Sequence, residues 1–282
     1  MNTCAKPEIL VVTPTLGKRL TLHRTISGVR KYGGQSVVHV IVGPPALGQY
    51  LLRLYPWIYF LEDHAKLGIF HAVNTALNKF TGYEYFSFIN DDDYWLPGFT
   101  QLIQCIKANP DLSFVYAKTI FASHSYSRFK CGSFSPFYRH FSYLLQMGIP
   151  MFTHQSLIIR RHCLQLLGDQ FDLSYPLSAD SELWARLVQP PFIGKGLNIP
   201  ASVYSLDPGR LSLDIKLLDR DYSQRMSSNG YITKFAFAAI FRVAIFRLLN
   251  IPCYLSRILQ IYFLASIHYR RHHLHLFDES TL

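Results

Sequence analysis

Five short apolar runs, separated by stretches of helical spacing, occupy the first 117 residues and leave little choice of architecture. Ile9-Leu10-Val11-Val12-Thr13, ended by Pro14, shows no polar alternation. That is the pattern of a strand buried on both faces of a parallel sheet. Residues from about Arg19 to Arg30 read as a helix closed by Gly33-Gly34, and Val37 to Val42 as a second strand punctuated by Gly43-Pro44-Pro45. Ala46 to Leu54 reads as a helix and Trp57 to Leu61 as a third strand. Gly68 to Phe80 carries apolar residues at Phe70, Val73, Ala76 and Leu77, one face of a helix. The strand Glu84 to Ile89, the helix Phe99 to Ala108 and the strand Ser113 to Tyr116 complete the series. Strands alternating with helices of this length specify a doubly wound, mainly parallel α/β sheet with helices on both faces and right-handed crossovers.

Beyond residue 117 the pattern loosens. Thr119 to Gly132 reads as a hairpin leaving the main sheet, and the aromatic stretch Phe134 to Met147 as partly helical. Ser156 to Ile159 is a strand, Arg161 to Leu167 a helix closed by Gly168, and Ala179 to Val188 a helix before Pro190-Pro191. The chain therefore divides into a first part, 1–117, a less regular part, 118–212, and a C-terminal segment, 213–282.

The formal charge of +10 on 282 residues favours anionic partners: phosphate-bearing ligands, an acidic membrane surface or nucleic acid. The charge is concentrated late. From Tyr222 to Phe277 there is no Asp or Glu, while Arg225, Lys234, Arg242, Arg247, Arg257, Arg270 and Arg271 punctuate an apolar background. No uncharged run there reaches the ~20 residues that span a bilayer. Basic amphipathic helices lying in a membrane interface fit this composition, and helices packed on a protein are the ordinary alternative. No recognition motif for nucleic acid accompanies the charge. The five cysteines, Cys4, Cys105, Cys131, Cys163 and Cys253, show neither C-x-x-C nor zinc spacing and read as reduced thiols of a cytosolic protein. Met1 to Pro7 lacks the apolar core of a signal peptide.

Chemistry concentrates in Asn90-Asp91-Asp92-Asp93-Tyr94-Trp95. The three carboxylates follow a strand, and in open α/β sheets ligands bind at the carboxyl ends of strands. Clustered carboxylates repel one another, and a hard divalent cation shared with a phosphate relieves that repulsion. The ordinary alternative is a solvated acidic turn capping the next helix.

With this organisation, four segments carry a resemblance to the inverting family 2 glycosyltransferases, nucleotide-sugar-dependent enzymes of GT-A fold, over roughly residues 8 to 205. Val11-Val12-Thr13-Pro14-Thr15 is similar to their opening strand and turn. Gly68-Ile69-Phe70-His71-Ala72-Val73-Asn74 resembles their G-I-Y-D-A-M-N helix, and Phe88 to Gly98 their acidic signature with its trailing P-G. Thr153-His154-Gln155-Ser156, with Ala179-Asp180-Ser181-Glu182-Leu183-Trp184-Ala185-Arg186, resembles their H-Q strand and the helix bearing the base. The resemblance implies a donor half at 1–117 and an acceptor half at 118–212. Pro14, Thr15, Gly68, His71 and Asn74 would hold the nucleotide. Mg²⁺ or Mn²⁺ would sit on the diphosphate, first on Asp93, with Asp91 or Asp92 sharing the ion or touching the ribose. Asp180 would be the general base for an acceptor hydroxyl, with Glu182 the fallback and His154 and Gln155 on the acceptor side. Read without the resemblance, Asp180 is an N-terminal helix carboxylate that suits the macrodipole.

Two positions depart from the family. Gly43 stands where an acidic residue usually contacts the nucleobase, and His71 where Asp is usual. Both leave the donor nucleotide open among UDP, GDP and dTDP. They also feed a rival reading, a GT-A domain that binds a nucleotide or glycan without catalysis. A nucleotidyltransferase is the second rival, with Leu16-Gly17-Lys18-Arg19 as a thin phosphate loop. The resulting expectation is a cytosolic enzyme, peripheral at the inner face of the cell membrane. It would take a nucleotide-sugar donor and a lipid-linked or glycan acceptor.

Overall fold

The computed structural model describes residues 8–122, 129–131, 152–206 and 214–228, with Leu248 and Ile251. The first part forms as the periodicity requires. It runs β1 (Ile9–Pro14), α1 (Leu22–Gly33), β2 (Val37–Gly43), α2 (Pro45–Leu54), β3 (Ile58–Glu62), α3 (Ile69–Lys79) and β4 (Tyr85–Phe88). Then come β5 (Tyr94–Trp95), α4 (Gly98–Ala108), β6 (Phe114–Ala122), β7 (Phe129–Cys131), β8 (Leu157–Arg160), α5 (Arg161–Leu166), α6 (Ala179–Leu187), β9 (Gly194–Ser205) and α7 (Ile215–Ser228).

The nine strands form one sheet in the order β3-β2-β1-β4-β8-β6-β9-β5, with β7 paired to β6. β1 lies parallel to both β2 and β4, β3 parallel to β2, and β9 parallel to β6. β8 runs antiparallel between β4 and β6, and β5 antiparallel to β9. The chain winds outward from β1 through β2 to β3, then returns through α3 to β4 on the other side of β1. The gap between the ends of β1 and β4 is therefore the topological switch point, where such sheets open a crevice for ligands.

Alternation along β1 shows why it is apolar throughout. Leu10 and Val12 pack with Phe70 and Val73 of α3 and Trp184 of α6, while Ile9 and Val11 pack with Val29 of α1 and Phe99 and Leu102 of α4. Each residue is fully buried, half on each face. Gly98 at the start of α4 permits close approach to β9: an added Cβ there would lie 2.2 Å from the Pro200 carbonyl oxygen.

Three features differ from expectation. β6 does not leave the sheet at Thr119; it continues to Ala122 beside β9 through register shifts around Lys118, and only β7 turns back as a hairpin partner. β9 is a strand of 12 residues that local pattern does not announce. Its first half, Gly-Lys-Gly-Leu-Asn-Ile-Pro, is partly exposed and lacks an apolar run, so pairing with β6 and not propensity makes it a strand. β8 enters antiparallel within the mainly parallel sheet, a direction that local pattern does not reveal. The stretch Phe134 to Met147 and nearly all of the basic C-terminal segment lie outside the described residues. Among the described residues, no helix is long and apolar enough to cross a membrane.

Candidate active site

The reversed direction of β8 decides which residues reach the switch point. Parallel strands deliver the residues that follow them: Thr15 after β1, Asn90 to Asp93 after β4. β8 delivers the residues that precede it, the turn His154–Ser156. β9, parallel to β6, arrives with its last residue, Ser205.

The acidic loop is clamped by α1. Thr21 Oγ1 donates to the Asp91 carbonyl at 2.9 Å, Thr25 Oγ1 to the Asp93 carbonyl at 2.5 Å, and Arg24 Nη2 to the Asp92 carbonyl at 3.3 Å. None of the three aspartates caps α4, whose N-cap position is Pro97. The loop is also mostly buried, so the solvated capping turn is not what forms.

The three carboxylates have different surroundings. Asp91 Oδ2 accepts the Thr15 hydroxyl at 2.5 Å, and its Oδ1 lies 3.8 Å from Arg19 Nε. Burial, reinforced by the neighbouring Asp92 charge, pushes the Asp91 carboxyl up to about 6 against the pull of Thr15 and Arg19. Asp92 pairs with Arg19 Nη1 at 3.1 Å. Asp93 is 1% exposed, and each of its oxygens already has a donor: the Ser205 N–H at 2.7 Å and Gln155 Nε2 at 2.7 Å. Burial, with Asp92 and Asp91 nearby, holds the Asp93 carboxyl well above the usual range. The expectation that Asp93 leads in binding a cation does not match this placement. Asp93 ties the loop to β8 and β9, and Gln155, wholly buried, supplies one half of that tie. Asp91 and Asp92 are the carboxylates at the crevice.

Arg19 neighbours both of these carboxylates. Two hard oxygen donors of this kind suit Mg²⁺ or Mn²⁺, which commonly takes one or two carboxylates and completes its shell with phosphate and water. Among the described residues no cluster of three or more His, Cys, Asp or Glu is spaced to hold a metal by itself.

Position 43 is closed to any side chain. A Cβ on Gly43 would lie 2.9 Å from Thr15 Cγ2 and 3.1 Å from the Thr15 carbonyl oxygen. An acidic residue there would require the same Thr15 that holds Asp91 to shift. At the far side of the crevice, Gly68 adopts φ 106, a left-handed value that suits glycine, and caps α3 with open space around it. His71 sits in the first turn of α3 with Nδ1 buried and unbonded. Asn74 is placed differently from expectation. It is 5% exposed, donating to the Phe171 carbonyl at 2.9 Å and accepting the Phe171 N–H at 2.8 Å. It fastens α3 to the chain before α6.

The opposite wall holds Asp180, in the first turn of α6. Its Oδ1 accepts the Ser181 N–H at 2.7 Å and its Oδ2 lies 3.1 Å from His154 Nδ1. His154 stacks on Phe88, with ring centroids 4.2 Å apart, and its Nε2 lies 3.2 Å from Asn90 Nδ2. An amide nitrogen only donates, so Nε2 accepts, and the Nδ1–H donates to the Asp180 carboxylate. A hydrogen-bonded line, Asn90–His154–Asp180, thereby joins the acidic loop to the helix carboxylate. Glu182 does not compete for this position. Both of its oxygens meet Arg186, at 2.8 and 2.9 Å, and Arg186 is anchored on the Leu167 carbonyl.

Sequence reading missed Arg24, Asn90, Thr21, Thr25 and Ser205. The i, i+4 hydroxyls of Thr21 and Thr25 were the available signal, and Ser205 had none because its strand was itself unannounced.

No family model and no curated protein matches the chain by sequence. Solved structures do match by shape. Staphylococcus aureus TarS 1-349, in complex with UDP-GlcNAc, aligns with a TM-score of 0.55 at 14% identity over 73% of this chain and 61% of its own. The UDP complex of the same protein aligns at 0.54 and 14% identity, over 78% and 65%. The chain thus spans somewhat less than two thirds of these TarS structures. A mannosyltransferase from Pyrobaculum calidifontis, PcManGT, in complex with GDP-Man and Mn²⁺, aligns at 0.51 and 14% identity over 93% of this chain and 86% of its own. At such identities the likeness is one of fold, and the chain has the GT-A-like α/β fold that these glycosyltransferases share.

Proposed function

We propose that the protein is an inverting glycosyltransferase that moves a sugar from a nucleotide diphosphate donor to a hydroxyl of a lipid-linked or glycan acceptor. The observation that carries this reading is the hydrogen-bonded line from the acidic loop through His154 to Asp180. It sets one polar-tethered carboxylate across a crevice from two others at the switch point of the sheet. The structural neighbours, solved with UDP-GlcNAc and with GDP-Man and Mn²⁺, support a nucleotide-sugar donor.

In this reading Thr15 and the open N-terminus of α3 at Gly68 receive the nucleotide and its phosphates. His71, with an unbonded buried nitrogen, lies in the first turn of the same helix. Asp91 and Asp92 would hold a divalent ion, which would supply Lewis-acid neutralisation of the departing charge. Asp180 takes the acceptor proton as the acceptor oxygen bonds to the anomeric carbon and the bond to the diphosphate oxygen breaks. The attack comes from the side opposite the leaving group, so the anomeric configuration inverts. The Nδ1–H of His154 and the Ser181 N–H, one on each oxygen, orient the Asp180 carboxylate. The acid-free basic stretch from Tyr222 to Phe277 supports placement at the inner face of the cell membrane, where the acceptor would be presented.

The test is calorimetric titration of UDP, GDP and dTDP into wild type and Asp92→Asn, with and without Mn²⁺. Metal-dependent binding of one nucleotide, weakened at least tenfold in the variant, is expected. Turnover of the corresponding nucleotide sugar should then fall a hundredfold or more in Asp180→Asn with nucleotide affinity retained. Binding with no turnover in wild type would favour the non-catalytic module, for which Gly43 and His71 speak. No binding of any nucleotide would sink both.

A further inference from the structure

Helix α6 begins without a cap of its own. Ser178 occupies its N-cap position but makes no side-chain bond into the helix. The Ser178 hydroxyl instead donates to Asp221 Oδ2 at 3.0 Å, and the same oxygen accepts the backbone N–H of Leu177 at 2.9 Å and of Ser178 at 3.0 Å. Asp221 belongs to α7, far along the chain, and is 1% exposed, as Ser178 is 2%. A carboxylate with three donors at a helix N-terminus sits where free amides and the positive pole favour negative charge. An element outside the sheet thus holds the two residues that lead into α6.

The consequence reaches Asp180, the second residue of α6. His154 is fixed from the sheet side, by its stack on Phe88 and its bond to Asn90. Whether Asp180 meets His154 therefore depends on where α6 begins, and Asp221 sets that point. We infer that Asp221 is a positioning residue for the proposed transfer: it fixes the first turn of α6 and so keeps the Asp180 carboxylate on the His154 Nδ1–H. This rests on the reading of Asp180 as the base. It also makes α7, which the sequence groups with the basic C-terminal segment, part of the catalytic unit.

The experiment uses the full chain with Asp221→Ala, Asp221→Asn and Ser178→Ala. The first readout is the imidazole Nδ1–H resonance of His154, assigned by its loss in His154→Gln. The second is turnover of the nucleotide sugar, and the third is nucleotide affinity. In Asp221→Ala the His154 resonance should broaden or vanish and turnover should drop tenfold or more, because small misplacements at a reacting centre are costly. Nucleotide affinity should stay within about twofold, since the bonds that Asp221 makes among the described residues are to Leu177 and Ser178. Asp221→Asn keeps an acceptor oxygen and should restore most of both signals. Ser178→Ala removes one donor of three and should fall between.

A folded Asp221→Ala with wild-type resonance and turnover would overturn the inference, and so would an equal loss of turnover and nucleotide affinity. If Asp221→Ala does not fold, wild-type values for both readouts in Ser178→Ala would overturn it instead. Failure of the base reading looks different. Asp180→Asn would then keep its turnover while Asp221→Ala still disturbed the His154 resonance.

Discussion

His39 illustrates how strongly this sheet constrains single side chains. It lies in β2, 3% exposed, with Nε2 2.8 Å from the Thr13 hydroxyl and Nδ1 unbonded. Burial alone lowers its proton affinity, bringing the imidazole down to about 3 from the ordinary 6.5. The unfolded chain therefore takes up a proton below 6.5 that the folded chain refuses until about 3. Stability contributed at this residue is complete above 6.5 and falls as the pH drops, by about 1.4 kcal/mol per unit at most. Asp91 and Asp93 act with the opposite sign, because the folded state holds their protons more tightly than the unfolded state does. Comparing urea unfolding of wild type and His39→Gln from pH 7 to 4 isolates the histidine. The variant should lose less stability over that range, and parallel curves would refute the assignment. Residue chemistry of this kind was only partly legible in the sequence. The acidic triplet announced itself by composition, but which of its members faces the crevice depends on Ser205 and Gln155, neither adjacent in sequence. Asn74 was read as a ligand-facing amide for the same reason: nothing local reveals that the Phe171 backbone consumes it.

At the scale of elements, the chain was legible where local pattern and tertiary demand agree. β1, β2 and β4 are apolar because both faces of the sheet are covered, and α1, α3 and α4 follow from apolar spacing. β9 and β5 were not legible, since they are strands by pairing alone. Asn74 gives the element scale a direct test. Its amide joins α3 to the approach to α6, and removing it leaves a buried N–H and C=O of Phe171 unpaired. Asn74→Ala should cost about 2 to 3 kcal/mol in chemical unfolding while leaving nucleotide affinity unchanged. A loss of nucleotide affinity at full stability would return Asn74 to the donor site.

For the whole molecule, the question is how the α/β body relates to the basic segment that follows it. α7, which the sequence groups with the C-terminal segment, is fastened to the body through Asp221. Removing the residues beyond 228 should therefore preserve nucleotide binding and turnover of the free nucleotide sugar. It should also reduce association with vesicles containing anionic lipid by at least tenfold in a flotation assay, since each basic residue near such a surface contributes roughly 1 kcal/mol. Undiminished flotation of the shortened, folded chain would remove the membrane from the proposal.

The ties that hold Asp93 have a consequence for how such a molecule is made. A chain leaving the ribosome has the strands around β1 and the acidic loop in hand long before residue 205 appears. Until then the innermost carboxylate of the loop has neither the Gln155 amide nor the Ser205 N–H, and hydrating it means keeping the loop open to water. The acidic loop is thus among the last parts of the nascent protein to close, and the amino-terminal portion alone lacks the ties that bury Asp93.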